Sequence, residues 1–403
     1  MSVFLTLNAG SSSIKFSAYR LNGGLSLQAR GQVAAIGAEA ILTIDRQGRK
    51  ESRGVRAPDY QGALASILGA LEPDLQGRAV AGVGHRIVHG GDWFVKPTVL
   101  TGDVVERLAD LEPLAPLHQP QNLRGVEAAR RAFPGALQVG CFDTSFHQGQ
   151  ERINRAFALP RRFYDAGVKR YGFHGLSYQY ISQTLRRDRP GLADGRIVVA
   201  HLGNGASMCA MRGGASVATT MGFSALEGLP MGTRCGQIDP GVILYFIDKG
   251  MSHTELTTLL YQESGLSGLS GVSNDMRTLL ASDAPEAREA VDYFAYRIRC
   301  EIGRMAAALG GIDGLVFCGG IGERAPAVRR QAIEGLGFLG LAVDAAANER
   351  NAATIGAGPV PIFVTPTDEE RVIAEATVAL VAESAPGHAP GRAPDAARLE
   401  SLR

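Results

Sequence analysis

The sequence lacks a surplus of either charge, any paired-cysteine motif and any apolar run long enough to cross a bilayer, and each absence removes a class of function. With 41 basic and 40 acidic residues the formal net charge is +1, so no broad field draws the chain to nucleic acid or to an acidic membrane, and any anion site has to be local. The five cysteines, Cys141, Cys209, Cys235, Cys300 and Cys318, are odd in number, widely spaced and free of C-x-x-C pairs, which fits reduced thiols better than disulfides or zinc. Met1 to Leu7 carries no basic n-region and its apolar run is too short for a signal peptide, so a cytoplasmic location without a membrane partner is expected. Two common phosphate-binding signatures are missing as well: there is no G-x-x-x-x-G-K-[ST], and no set of glycine-rich loop, H-R-D and D-F-G.

What the chain does have is apolar residues and glycine. A length of 403 residues with 45% apolar content can bury two hydrophobic cores, which favours two domains over one. The 51 glycines cluster in short runs between strand-like segments. Val3 to Leu7 is strand-like, Asn8-Ala9-Gly10-Ser11-Ser12-Ser13 breaks the run, and a second strand pattern follows from Ile14 to Tyr19. The same order recurs at Ile197 to Leu202, Gly203-Asn204-Gly205-Ala206-Ser207 and Met208 to Met211. A second correspondence accompanies the first: Val80 to Val88 runs into His89-Gly90-Gly91, and Gly314 to Phe317 runs into Cys318-Gly319-Gly320. Both pairs appear in one order, the mark of an internal duplication of a β-rich α/β unit with extra residues in the second copy.

Helical periodicity places core-facing stripes at Pro120 to Phe133 (Leu123, Val126, Ala129, Ala132) and at Ala287 to Leu309 (Val291, Phe294, Ile298, Ile302, Met305). Ser264 to Gly271 has the composition of a linker, but Leu and Val at every third position point to a packed loop. Beyond Glu383 the sequence turns Ala-, Pro- and Arg-rich without an apolar period, as expected of a loose tail.

The hairpin from Asn8 to Lys15 offers small residues whose N–H and hydroxyl donors can face a phosphate, with Lys15 adding a point charge and Asn8 a neutral oxygen for a metal or its water. In Gly84-His85-Arg86-Ile87-Val88-His89-Gly90-Gly91 a cation sits inside a strand-like run, and an arginine there needs an anion. The spacing of His85 and His89 matches a helical metal motif, yet Arg86 stands where that motif needs glutamate and glycines flank both ends, so metal ligation is the lesser reading. Arg234, in Pro230-Met231-Gly232-Thr233-Arg234-Cys235-Gly236, is a second arginine among small residues, and the two together suit an oxyanion. Asp143 and His174 lie in two further polar segments, where structural and catalytic roles are equally open.

N-x-G-S-S-S-x-K, G-H-R-x-V-H-G-G, F-D-T-x-F-H, R-Y-G-F-H-G, H-L-G-N-G, M-G-T-R-x-G, G-I-G-E and T-x-E-E occur in this order from about Val3 to about Leu380. Their succession closely resembles the acetate kinase family. The resemblance implies an α/β fold of duplicated actin-like, ribonuclease H-like domains closing on a ligand cleft, with residues 1–145 plus 370–403 as the first domain and 146–369 as the second, which would bind nucleotide and form a homodimer. It implies phosphoryl transfer between ATP and acetate, with Mg²⁺ or Mn²⁺, to give ADP and acetyl phosphate; a propionate or butyrate kinase is the alternative. By the same resemblance Asn8 and Glu369 fall at the metal, and Lys15, His201, Leu202, Gly203, Asn204 and Gly205 fall on the phosphates. Asp275, Met276 and Arg277 with Gly320, Ile321, Gly322, Glu323 and Arg324 fall around the nucleoside. Arg86 falls on the carboxylate, Val88, Leu117 and Phe173 on its methyl group, and Asp143, His174 and Arg234 in catalysis. The chain departs from the family pattern at Arg324, Gln119, Gln237, Asp368, Leu176, Tyr178 and Ala225, where asparagine, asparagine, aspartate, asparagine, threonine, histidine and proline are usual. A carboxylate nucleophile is already ionised near neutrality, so Asp143 is expected to orient Arg86, Arg234 or a metal-bound water rather than to remove a proton.

Overall fold

Hydrophobic strands on either side of the first glycine-serine turn pair as an antiparallel hairpin, Ser2–Ala9 (β1) with Ile14–Leu21 (β2), in a register that sets Asn8 opposite Lys15. The computed structural model describes residues 2–10 and 12–384. Ser11 and, from residue 385, the loose tail expected after Glu383 lie outside them. The hairpin extends through Leu25–Ala34 (β3), Ile41–Arg46 (β4) and Arg49–Gly54 (β5) on one side. On the other side stand Val80–Ile87 (β6), Leu137–Phe142 (β8) and the short Thr98–Val99 (β7), giving the order β5-β4-β3-β2-β1-β6-β8-β7.

The second sheet repeats this plan. Arg196–Leu202 (β9) and Ala206–Arg212 (β10) form its hairpin, Ala215–Thr219 (β11) extends it, and Gly314–Cys318 (β12) and Ile362–Val364 (β13) lie parallel beyond β9. Its order, β11-β10-β9-β12-β13, matches β3-β2-β1-β6-β8 strand for strand in pairing and direction. The two correspondences in the sequence are therefore structural: β6 and β12 occupy the same place beside the first strand of their hairpins.

Helices cover both sheets with the stripes the periodicity predicts. Tyr60–Leu75 (α1) and Gln119–Ala132 (α2) bury Leu64, Ile67, Leu71 and Ala129 against Leu5 and Leu7 of β1. Pro285–Leu309 (α5) starts two residues before the periodic stripe, because proline at the first helical turn needs no hydrogen-bonded N–H. It packs Phe294, Ile298 and Ile302 on Val198, Met208 and Phe317, each fully buried side chain contributing roughly 1.5–3 kcal/mol. Gly175–Asp188 (α3) lies near the crossing from the first sheet to the second, and Glu369–Glu383 (α6) brings the chain back. Val372 and Ile373 of α6 pack on Val139 and Cys141 of β8 and on Leu176 of α3. Pro240–Asp248 (α4), in the insertion between β11 and β12, buries no residue at all.

The segment expected as a packed loop is a short helix, Gly265–Ser270, with Gly265, Leu266 and Ser270 buried. The Ser270 hydroxyl donates to the Leu266 carbonyl at 2.7 Å and Gly271 closes the turn with φ 63°, so internal hydrogen bonds override a composition that reads as flexible. No helix among the described residues is long and apolar enough to cross a membrane.

Candidate active site

Strands β1, β6 and β8 run parallel, so their carboxyl ends meet at one edge, the place where α/β sheets take their ligands. Asn8, Arg86 and Asp143 stand there. Arg86 grips Asp143 as a fork, Nε donating to Oδ1 at 3.0 Å and Nη2 to Oδ2 at 2.6 Å, and its Nη1 reaches Asn8 Oδ1 at 3.5 Å. Glu369, the first residue of α6, lies 3.6 Å from Arg86 Nε. Burial works against the Arg86 charge, but Asp143 and Glu369 hold its pKa above the ordinary value. Glu369 is pushed up to about 7: burial disfavours its charge most, Arg86 opposes the rise, and Asp143 and Glu370 add to it. Of the partners expected for Asp143, the geometry selects Arg86.

Directly below, the chain enters α3 through a tight turn. The Gly175 N–H donates to the Asp143 carbonyl at 3.0 Å, and a Cβ on Gly175 would come within 2.1 Å of that oxygen, so no larger residue fits. His174 takes the left-handed conformation, φ 57°, which costs a non-glycine residue about 1–2 kcal/mol. The turn is held from beneath by His147, whose buried ring donates from Nε2 to the Phe173 carbonyl at 3.0 Å and meets Ser216 Oγ with Nδ1 at 2.8 Å. Burial lowers His147 to about 4, so it is neutral.

The His174 ring stacks on His201, centroids 4.4 Å apart. Each has its Nδ1 2.8 Å from a serine hydroxyl, Ser207 for His174 and Ser177 for His201. Burial, with the neighbouring His201 ring and the charges of Arg86 and Arg234, keeps His174 well below its usual value, and burial with Arg86 lowers His201 to about 4. A Cβ placed on Gly205 would lie 3.2 Å from His174 Nε2 and 3.4 Å from Arg234 Nη2. Both tips therefore converge on the second hairpin.

Arg234 is tied to that hairpin through its loop: the Gly232 N–H donates to the Asn204 carbonyl at 3.0 Å, and Met231 N–H to the Arg234 carbonyl at 3.0 Å. Its guanidinium donates to the Ala225 carbonyl at 3.0 Å, and among the described residues no carboxylate lies within ion-pair distance. Burial and the like charge of Arg86 lower its pKa. A half-buried cation without a counter-ion is suited to take an anion. His118, which the sequence did not single out, faces the same space: burial, then Arg234 and Arg86, lower it to about 4. Its only signal was its place beside Leu117.

Val88 and Phe173 share one apolar cluster with Ala115, Leu229 and Met231, and Ala225 packs against it. Leu117 is half-buried and does not join that cluster. A cavity of about 340 Å³ brings Gly203 and Asn204 together with Asp275, Met276, Arg277, Gly320, Ile321 and Arg324. A second, of about 380 Å³, holds Lys15, Arg30, Asp368 and Glu370, and Arg324 borders both. Gly322 and Glu323 sit on the short helix Gly319–Arg324 without lining either, and the Leu202 side chain is wholly in the core, leaving only its backbone for a ligand. His85 and His89 are structural: His85 Nε2 meets Gln138 Oε1 at 2.8 Å, and His89 Nδ1 accepts from the Gly91 N–H while its ring meets Tyr171 edge-on at 4.5 Å. Among the described residues no group of three or more His, Cys, Asp or Glu is placed to hold a metal.

Two copies of one α/β unit, with glycine hairpins, arginines and neutral histidines brought to one cleft, suit a protein that handles a phosphate-bearing ligand. Comparison with known proteins places it more closely. The chain belongs to the Acetokinase family, whose model matches residues 3–375. It is similar to the acetate kinase of Methylocella silvestris, 51% identical over 397 residues, covering 94% of this chain and 98% of that one. Among solved structures it resembles the acetate kinase of Porphyromonas gingivalis (36% identity, TM-score 0.85) and a propionate kinase of Francisella tularensis (33%, TM-score 0.89), covering 94% of this chain and 100% of theirs in both cases. Family and site together make it a kinase with a carboxyl group as phosphoryl acceptor.

Proposed function

We propose that the cleft transfers the γ-phosphoryl group of ATP reversibly to acetate, giving acetyl phosphate and ADP by direct in-line displacement. The observation that carries this reading is Arg234, a half-buried guanidinium with no carboxylate partner among the described residues, facing the same point as His174 Nε2. Phosphoryl transfer passes through a loose, charge-rich transition state that positioned cations and donors stabilise. Acetate, an acid with a pKa of about 4, arrives ionised, so Asp143 has no proton to remove from it, and both Asp143 oxygens serve instead as acceptors for Arg86. Asp143 thus holds Arg86 in place, Arg86 orients the carboxylate, and Arg234 with His174 faces the phosphoryl oxygens. Val88, Phe173 and the neighbouring Leu117 enclose the methyl group. Lys15, His201 and the backbone from Leu202 to Gly205 steady the phosphate chain, while the cavity from Asp275–Arg277 to Gly320–Arg324 receives the nucleoside.

Asn8 and Glu369 suit a magnesium or manganese ion. Both offer hard oxygens at the cleft, Asn8 Oδ1 at 3.5 Å from Arg86 Nη1 and Glu369 at 3.6 Å from Arg86 Nε; Mg²⁺ typically takes one or two carboxylates and completes its shell with water and phosphate. When bound, such an ion would neutralise charge on the β- and γ-phosphates.

Two readings concern the molecule as a whole. The return of α6 onto the first sheet supports domains of 1–145 with 370–403 and of 146–369. Helix α4 leaves Leu244, Tyr245 and Ile247 exposed, as α5 does Tyr293 and Tyr296, and an apolar face of this kind supports a homodimer through the second domain. Light scattering on the whole chain checks it: the mass of two chains is expected, and a single-chain mass rejects it.

Propionate is the second reading, favoured by Ala225, which is smaller than the usual proline at the apolar cluster. Trapping acyl phosphate with hydroxylamine across acetate, propionate and butyrate decides between them. Acetate is expected to give the highest kcat/KM, with Val88→Ala moving preference toward propionate by about 1–3 kcal/mol at most. No acyl phosphate from any of the three acids would reject the function.

A further inference from the structure

His174 is held from behind by two hydroxyls that the transfer reaction does not itself require. Ser207 Oγ lies 2.8 Å from His174 Nδ1, and the Tyr178 hydroxyl lies 2.5 Å from the same oxygen. Tyr178 is one helical turn after His174 on α3, its N–H donating to the His174 carbonyl at 3.1 Å. Ser207 is on β10, opposite His201. Tyr178 and Ser207 are both wholly buried, and Ser207 Oγ is the hydrogen-bond partner of the Tyr178 hydroxyl among the described residues.

We propose that Tyr178 and Ser207 form a one-way hydrogen-bond relay that keeps the His174 proton on Nε2, the nitrogen facing the second hairpin. Proton counting decides the direction. The serine hydroxyl has one hydrogen and the phenol one, and three arrangements are open. If His174 donated from Nδ1 to Ser207 and Ser207 donated to Tyr178, the phenol O–H would be buried without an acceptor. If His174 and Tyr178 both donated to Ser207, the serine hydrogen would be stranded instead. An unsatisfied buried donor loses its hydration without replacement and is disfavoured. Only the order Tyr178 to Ser207 to His174 Nδ1 uses every hydrogen, and it leaves the imidazole proton on Nε2. The relay cannot reverse by ionisation near neutrality, because burial holds the Tyr178 phenol well above its usual pKa. His201, Arg86, Arg234 and His147 surround His174, and the burial and positive charge there oppose a second proton. His174 thereby offers the cleft a neutral N–H donor, aligned before substrate binds.

This rests on the reading of His174 as a donor to the phosphoryl group. Tyr178 and Ser207 are positioning residues, acting through His174. The test is a long-range ¹H–¹⁵N correlation spectrum of the ¹⁵N-labelled full chain, with the His174 signals assigned by their loss in His174→Gln. An unprotonated Nδ1 and a protonated Nε2 are expected; the opposite tautomer overturns the proposal. Tyr178→Phe is expected to mix the tautomers and lower kcat roughly tenfold, the scale for an outer partner of a functional histidine, with KM for ATP and acetate little changed. Ser207→Ala, which leaves the tyrosine ring in place, is expected to do the same. In a His174→Gln background Tyr178→Phe is expected to have no further effect on kcat. A loss of equal size there, or an unchanged tautomer and kcat in both single variants, overturns the relay. If His174→Gln itself turns over normally while the wild-type tautomer is as expected, the relay stands and the assignment of His174 to the phosphoryl group falls.

Discussion

Arg86 shares its charge with Asp143 through two hydrogen bonds and has Glu369 at 3.6 Å, whereas Arg234 has, among the described residues, only the Ala225 carbonyl. The first is a cation already compensated and held rigidly; the second keeps its charge for an anion that arrives. Replacing Arg234 by alanine is therefore expected to lower kcat by about a hundredfold or more, the scale for a preorganised donor to a developing anion, with a smaller change in ATP affinity. Steady-state kinetics with both substrates varied measure it, and unchanged turnover would remove Arg234 from the site. The two arginines were legible in the sequence because a charge inside an apolar or glycine-rich run needs a partner. What was not legible is which of them is paired: that depends on Asp143, 57 residues from Arg86 along the chain. His118 was missed for a similar reason, and Ser207 was read only as part of the second glycine hairpin. Nothing local separates a histidine before a helix, or a serine in a buried strand, from residues that merely pack.

At the scale of elements, the first turn of α3 is where the halves of the molecule meet. It takes the Asp143 carbonyl on Gly175 and the Thr367 hydroxyl on Ser177 at 2.9 Å, so both crossings of the chain between the sheets are fastened to it. Beneath it, His147 is neutral because burial lowers its pKa from 6.5 to about 4. Between those values the unfolded chain binds a proton that the folded chain refuses. Stability therefore falls as pH drops from 6.5 toward 4, by up to about 3 kcal/mol from this one group, and does not fall further on its account below that. His147→Gln can keep both hydrogen bonds without a titrating ring. Urea unfolding of the variant is expected to lose less stability over this window than the wild type. Equal losses would mean that His147 is not held neutral by the fold. Strands and long helices were readable from period and turn residues, since both follow from local pattern; the short helix at Gly265–Ser270 was not, because its hydrogen bonds outweigh a composition typical of loops.

For the whole molecule, the duplication was visible as two glycine hairpins and two strand-glycine endings in one order, and strand pairing carries it through five strands on each side. Two sheets joined by two crossings can open and close about them, and a closed cleft keeps water from the phosphoryl group. Small-angle scattering is expected to show a smaller radius of gyration with a non-hydrolysable ATP analogue and acetate than without; superimposable profiles would count against closure. In the proposed reaction the phosphoryl group passes straight from nucleotide to carboxylate, with no protein nucleophile between them. The described cleft presents two arginines, neutral histidines, Lys15, Asp143 held on both oxygens by Arg86, and Glu369, here assigned to the metal ion rather than to the phosphoryl group. The most direct measurement is the stereochemistry at phosphorus with a chiral γ-phosphate. A single in-line displacement predicts inversion, and retention of configuration would contradict it.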